Sequence, residues 1–372
     1  MPVKHSKFEQ LPNEILIIIF SFMKTKNLYQ IFKNLNQRFN TIIGEVDHYI
    51  NFEEYTKKEY REIVMTNEDA FSVHQIVSLT IFDDKNQYDV ASFNTVLFFS
   101  KYQQSHFPKL KSLTINGLTL ALFSKLSISI LRQLVTLSIS ASTSPPTTPR
   151  LVQRLFKLLF ATENFDHLKK LSLNFDFETN RPDPDSWCGT RESVEDITLP
   201  FSAITQQQPS ITCLIIKHRV HDIDLVHLLK YLPNLKFLST TLVMYPNLSA
   251  LEKCSNLTSL ELDVTGIELT HIEEFLFQMF PNLSKSLTVD FCPSPHIRGE
   301  ISEERLQKFF QNLSEKINKF MIHIKHEEQD DENGYYFQEY ETEKYWIRFE
   351  LTELNNEYYG DKCGTRFYNV LK

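Results

Sequence analysis

LTSLEL, residues 257–262, is one copy of a pattern that organises most of this 372-residue chain. It recurs as IVSLTI (76–81), LKSLTI (110–115), LVTLSI (134–139), LKKLSL (168–173), VEDITL (194–199), ITCLII (211–216) and LKFLST (235–240). LSKSLTV (283–289) carries it with one inserted residue. The anchors Leu79, Leu113, Leu137, Leu171, Ile197, Leu214, Leu238, Leu260 and Leu287 stand 17 to 34 residues apart, 26 on average. Each short apolar copy predicts a strand. A period of this size predicts an array of supersecondary units, each too small to bury its own apolar face.

Helix-like stretches lie between the strands. RLVQRLFKLLFA (150–161) and LVHLLKYL (225–232) carry apolar residues at helical spacing. Thr270 and Glu273 form a capping-box pattern before EEFLFQMF, and Pro281 stops that segment. ISEERLQKFFQNL (301–313) places acids in its first turn, where the helix dipole favours them. Strand followed by helix is an α/β arrangement.

Each copy resembles the LxxLxL core of a leucine-rich repeat. The resemblance implies an irregular solenoid over residues 76–316, with parallel strands on a concave face and helices on a convex one. A compact α/β domain is the other architecture with such alternation. The asparagine usual after LxxLxL is missing, and Thr265 and Leu118 stand in its place in two copies, so an imperfect turn ladder is expected. Proline-rich and polar stretches at 143–150 and 178–192 predict exposed insertions.

The N-terminal region follows another rule. LPNEILIIIFSFM (11–23) is apolar from Ile15 to Met23 except at Ser21. That run is under half of the ~20 residues needed to span a bilayer. Acidic Glu9 and Glu14 before it, and Lys24 and Lys26 behind it, do not suit a signal peptide. A helix is predicted, with Pro12 at its first position and Glu14 at the positive dipole end. NLYQIFKNL (27–35) predicts a second helix, capped by Asn27, with Leu28, Ile31, Phe32 and Leu35 on one face. NQRFNTII (36–43) predicts a third, short helix that carries Phe39, Ile42 and Ile43 and is capped by Asn36. So small a bundle cannot cover an all-apolar helix on every side, and part of it is expected to meet another protein.

The order Leu11-Pro12-x-Glu14-Ile15-Leu16, Ile19-Phe20-Ser21-Phe22, Leu28 and Leu35-Asn36-x-Arg38-Phe39-x-x-Ile42-Ile43 resembles an F-box. The resemblance implies a three-helix domain at 7–48 that docks a Skp-type adaptor of a cullin–RING (SCF-type) ubiquitin ligase. By match of position, Leu11, Pro12, Ile15, Leu16, Ile19, Phe20 and Leu28 would face that adaptor. Such proteins bring a substrate to the ligase and perform no chemistry, so the chain is not expected to be an enzyme.

Composition narrows the alternatives. Hydrophobic residues make up 42% and charged residues 23%, a globular balance. A net charge of −8 without a long basic block disfavours nucleic-acid binding. With eight glycines the chain contains no GxGxxG, no GxxxxGK[ST] and no GxSxG; HExxH is missing too. Five scattered cysteines (Cys188, Cys213, Cys254, Cys292, Cys363) without CxxC read as reduced thiols in a cytoplasmic or nuclear protein. His218 with His221 and His323 with His326 read as surface residues rather than metal ligands, and Glu327 to Glu332 as a solvated acidic turn.

The C-terminal part, 317–372, predicts strands at KFMIHIK (319–325), YYFQEY (335–340) and KYWIRFEL (344–351), with an Asn333-Gly334 hairpin signal between the first two. Its eleven aromatics between Tyr335 and Tyr368 suit an antiparallel cap on the last repeat. The expected organisation is therefore an F-box at 7–48, a connection at 49–75, a solenoid at 76–316 and the cap. The expected function is substrate recognition for a ubiquitin ligase: Skp-type adaptor on the F-box, protein target on the repeats, no cofactor, no metal, no membrane. The alternatives are a protein-interaction scaffold outside any ligase and an undetected hydrolase.

Overall fold

Strands and helices alternate along the computed structural model, which describes residues 7–56, 58–59, 73–82, 107–123, 126, 128–143, 148–162, 165–177, 207–243, 254–265, 269–292, 303–327, 340–342, 345–354 and 363–371. The fold is α/β with an open parallel sheet, an arrangement compatible with a solenoid-like α/β fold. Two compact units divide the chain. One is Met1–Leu151 with Phe165–Lys170 and Phe175–Glu178; the other is Val152–Asn164 with Leu171–Asn174 and Thr179–Lys372.

The first unit begins with helices α1 (Asn13–Ser21), α2 (Thr25–Phe32) and α3 (Gln37–Glu45). Strands β1 (His48–Asn51), β2 (Ile76–Phe82), β3 (Ser112–Asn116) and β4 (Thr136–Thr143) follow, with α4 (Leu120–Phe123) and α5 (Ile128–Gln133) between the last two. β1 pairs with β2, β2 with β3 and β3 with β4, all parallel. Helix α6 (Thr148–Lys157), its π-helical extension Leu158–Thr162 and strand β5 (Lys170–Phe177) come next in the chain.

In the second unit lie β6 (Cys213–His221), α7 (Asp222–Lys230), β7 (Phe237–Val243), β8 (Ser259–Thr265), α8 (Leu269–Met279), β9 (Ser286–Cys292), α9 (Glu303–Lys316) and β10 (Lys319–Glu327). Strands β6 to β10 pair in chain order and in parallel. Three more strands follow, β11 (Tyr340–Thr342), β12 (Tyr345–Leu354) and β13 (Cys363–Leu371). β13 runs antiparallel to both β10 and β12, and β12 antiparallel to β11.

Register explains why the LxxLxL copies hold together. Leu79 stands opposite Leu113, and Leu113 opposite Leu137. Leu214, Leu238, Leu260, Leu287 and Phe320 form the corresponding column of the second unit. All are buried. Because side chains alternate along a strand, fixing the leucines on one face puts Ser112, Thr114 and Asn116 of β3 on the other.

The turn ladder is present, but at another place than expected. In the second unit Asn234, Asn256 and Asn282 stand just before the first leucine of a copy. Each donates its side-chain amide to the carbonyl of a residue in the preceding turn, Pro209, Pro233 and Ser255 respectively, at 2.9, 2.5 and 2.6 Å. Gln133 holds the same position in the first unit and donates to the Phe107 carbonyl at 2.7 Å. These amides satisfy turn carbonyls that the strand ladder leaves over.

Other expectations are corrected. Thr270 lies inside α8, which starts at Leu269, and so does not cap it. Glu273 instead accepts from Arg305 and Asn312 of α9, each at 2.7 Å. The 49–75 connection contributes to β1, and β13 was not foreseen. The copy at 194–199, the insertion at 178–192 and residues 328–339 lie outside the described residues, as do the side chains of His218, His221, His323 and His326.

One position breaks the apolar pattern. Thr240 occurs between Ile216 and Leu262 in register, 4% exposed, and its hydroxyl has no hydrogen-bond partner among the described residues. A buried hydroxyl without a partner costs ~1–3 kcal/mol, and valine has nearly the same shape. Thr240→Val is therefore expected to raise the stability of the chain by ~1 kcal/mol in a denaturant titration; an unchanged or lowered midpoint would show that the hydroxyl is satisfied.

Candidate partner-docking surface

The bundle core is built around four phenylalanines. Phe20 and Phe32 approach to 4.8 Å between ring centroids, Phe8 and Phe32 to 5.5 Å, and Phe32 and Phe39 to 5.7 Å. Leu16, Leu28, Ile42, Ile43 and Val46 complete this core. Asn36 caps α3 as expected, its side chain accepting the Phe39 amide at 2.8 Å. Arg38 fastens the entry to α1: its guanidinium donates to the carbonyls of Glu9 and Leu11, and to the Asn13 side chain at 2.7 Å. Pro12 is the residue before α1, not its first helical residue.

The helices end earlier than the sequence pattern suggests. α2 starts at Thr25, so Asn27 lies inside it and does not cap it. After Lys33 the chain turns left-handed at Asn34, φ 68°, a conformation asparagine tolerates better than most residues. The Asn34 amide donates to the Asn40 side chain at 2.8 Å. That turn ends the helical face, so Leu35 is 62% exposed and Ile31, in the last turn, 52%.

The residues expected to face a partner divide into three groups by burial. Leu16, Phe20 and Leu28 are at most 1% exposed and belong to the bundle core. They shape the surface without presenting it, which corrects their assignment as contact residues. Leu11 and Ile19 are half-buried against that core. Pro12 and Ile15 are exposed. Two further residues of this surface were missed, Ile18 at 54% and Phe22 at 86% exposed. Ile15, Ile18 and Phe22 fall three and four positions apart, so they form one outward stripe along α1 and its C-terminal turn. The Ser21 hydroxyl donates to the Ile18 carbonyl at 2.7 Å, leaving the stripe apolar.

Beyond Phe22 a shallow cleft of about 310 Å³ runs between Met23, Tyr49, Asn51, Ser78 and Thr80. Tyr49 is 55% exposed on its wall, and a Lys24–Glu54 pair at 2.8 Å closes one rim. Among the described residues no group of three or more His, Cys, Asp or Glu is placed to hold a metal ion. Burial pushes the Cys254 thiol up, which disfavours the thiolate a nucleophile needs. Among the described residues no helix is long and apolar enough to cross a membrane. Against known proteins, the chain matches no family model and no curated protein.

Where the bundle meets the sheet, His48 is fully buried. Its Nε2 lies 3.2 Å from the Tyr29 hydroxyl, while Nδ1 has no partner among the described residues. Burial lowers its pKa from 6.5 to about 4; Asp47 opposes that shift and Lys109 adds to it. The unfolded chain therefore takes up this proton at higher pH than the folded one. The contribution of His48 to stability is complete above pH 6.5 and declines as pH falls towards 4, by ~3 kcal/mol in all. His48→Asn is expected to remove that part of the slope in stability measured between pH 7 and 4; a variant with the wild-type slope would refute the assignment.

Proposed function

We propose that this chain is a substrate-recognition subunit of a cullin–RING ubiquitin ligase. In this reading its N-terminal bundle is an F-box that docks a Skp-type adaptor. Its parallel sheet belongs to irregular leucine-rich repeats that hold a protein target, and the antiparallel strands β11 to β13 cap them. The reading implies a cytoplasmic or nuclear site of action.

The observation that carries it is the exposure of Ile15, Ile18 and Phe22 on a bundle whose core is already filled by Phe8, Phe20, Phe32 and Phe39. Folding of the bundle does not require these three to be apolar, and leaving them in water gains nothing. Burying each against a partner contributes ~1.5–3 kcal/mol, enough to offset part of the cost of association. Catalysis in this reading is proximity: the ligase acts on whatever lysine the bound target presents.

The experiment is co-purification of the full chain with a Skp-type adaptor, comparing wild type with Ile18→Asp/Phe22→Asp. These positions are exposed, so the variant is expected to unfold like wild type yet bind at least ~30-fold more weakly. Leu16→Asp, in contrast, is expected to unfold the bundle. A wild-type chain that ignores the adaptor, or a double variant that binds as well as wild type, would refute the proposal.

A further inference from the structure

The cleft beyond Phe22 opens onto an uncharged surface. β1 turns Tyr49 and Asn51 to its open side, while His48 and Ile50 are buried. In register, Tyr49 stands in a row with Ser78, Ser112 and Thr136, and Asn51 in a row with Thr80, Thr114 and Ser138. Every side chain in these two rows ends in a hydroxyl or an amide, and none carries a formal charge. Charges at the margin are already engaged: Lys24 pairs with Glu54 at 2.8 Å, and Glu53 accepts from Asn116 at 2.6 Å. The second unit differs on its open face, where Ser239 stands beside Glu261 and Asp263 beside Asp290.

At the β1 end this surface becomes amphipathic. Tyr49 is 55% exposed and Phe22 86%, and both line the cleft with Met23. Exposed aromatic rings give a large contact area on binding at little cost in side-chain freedom. A volume of about 310 Å³ lies at the low end for ligand cavities and suits one large side chain. Beside it, Asn51, Ser78 and Thr80 can both donate and accept hydrogen bonds, as a peptide backbone requires. A charged side chain laid here would lose its water and gain no opposite charge, because Lys24 and Glu54 already neutralise each other.

The geometry points to this cleft as the anchor site for the target: an extended peptide segment with one aromatic or large aliphatic side chain. That side chain enters between Phe22 and Tyr49, and uncharged residues on either side of it lie along the rows of Ser78 and Thr80. The inference deepens the target-binding half of the function proposed above and rests on it. It also gives Phe22 two roles, since that ring ends the stripe on α1 and walls the cleft. Tyr49 and Thr80 belong to the cleft side alone, so the two surfaces can be separated by substitution.

The test selects a phage-displayed library of short random peptides on the full chain without adaptor. Enriched peptides are expected to carry one aromatic, Leu or Met anchor flanked by uncharged residues. The strongest, synthesised with a fluorophore, should bind Tyr49→Ser and Thr80→Lys at least ~10-fold more weakly by anisotropy. Both variants should keep wild-type adaptor affinity, whereas Phe22→Ala should weaken both partners. Circular dichroism checks folding, and if Thr80→Lys does not fold, Tyr49→Ser decides. No enrichment, enrichment of charged peptides, or unchanged affinity in Tyr49→Ser overturns the site. Self-association of the chain that Tyr49→Ser abolishes overturns it too, by making a second copy the occupant. If wild type selects such peptides and ignores the adaptor, the ligase reading fails and the peptide site stands. If it binds the adaptor and selects none, the site fails and the ligase reading stands.

Discussion

Register within the leucine columns is the constraint on which the rest of the structure depends. A parallel strand buried on one face alternates, so sliding it by one residue would send Leu113 out and Thr114 in. With Leu79, Leu113 and Leu137 side by side, the hydroxyls of Ser78, Ser112 and Thr136 align on the opposite face. In the second unit the same logic aligns Thr241, Asp263 and Asp290. The amides of Asn234, Asn256 and Asn282 then hold successive turns at the spacing the columns set. Core and open face are two results of one register.

The bundle obeys a different constraint, that of size. Three helices of eight or nine residues enclose a core of four phenylalanines and a few aliphatic side chains, and little more fits. α1 carries more apolar residues than this core can take. Leu16 and Phe20 fill it, Leu11 and Ile19 lie at its margin, and Ile15, Ile18 and Phe22 remain outside. The exposed stripe follows from an oversupply of apolar side chains on a helix with limited neighbours. At its C-terminal end, Phe22 borders the cleft lined by Ser78 and Thr80 of the sheet's open face.

Much of this was legible in the sequence because periodicity reports burial. Each LxxLxL copy within the described residues is a strand, and Phe39, Ile42 and Ile43 are buried as their spacing on α3 requires. What escaped had physical reasons. β1 is four residues long and buries a histidine, so its pattern resembles a polar connection. On α1 nearly every residue is apolar, and without polar positions to mark the solvent side, matching a motif could not separate Phe20 from Phe22. Leu35 was misplaced because the left-handed turn at Asn34 breaks the helical count. The asparagine ladder precedes the strands rather than following them, and a Pro-Asn-Leu or Ser-Asn-Leu triplet is its signal.

A filled small core leaves an apolar stripe outside it, beside a sheet whose open face is polar, and in the proposed function an adaptor covers that stripe. Amide hydrogen exchange of the full chain, with and without a saturating Skp-type adaptor, tests that most directly. The account predicts added protection at α1 through Phe22 and around Ile31 to Leu35, with β7 to β9 unchanged. Protection confined to the strands, or none at all, would contradict it.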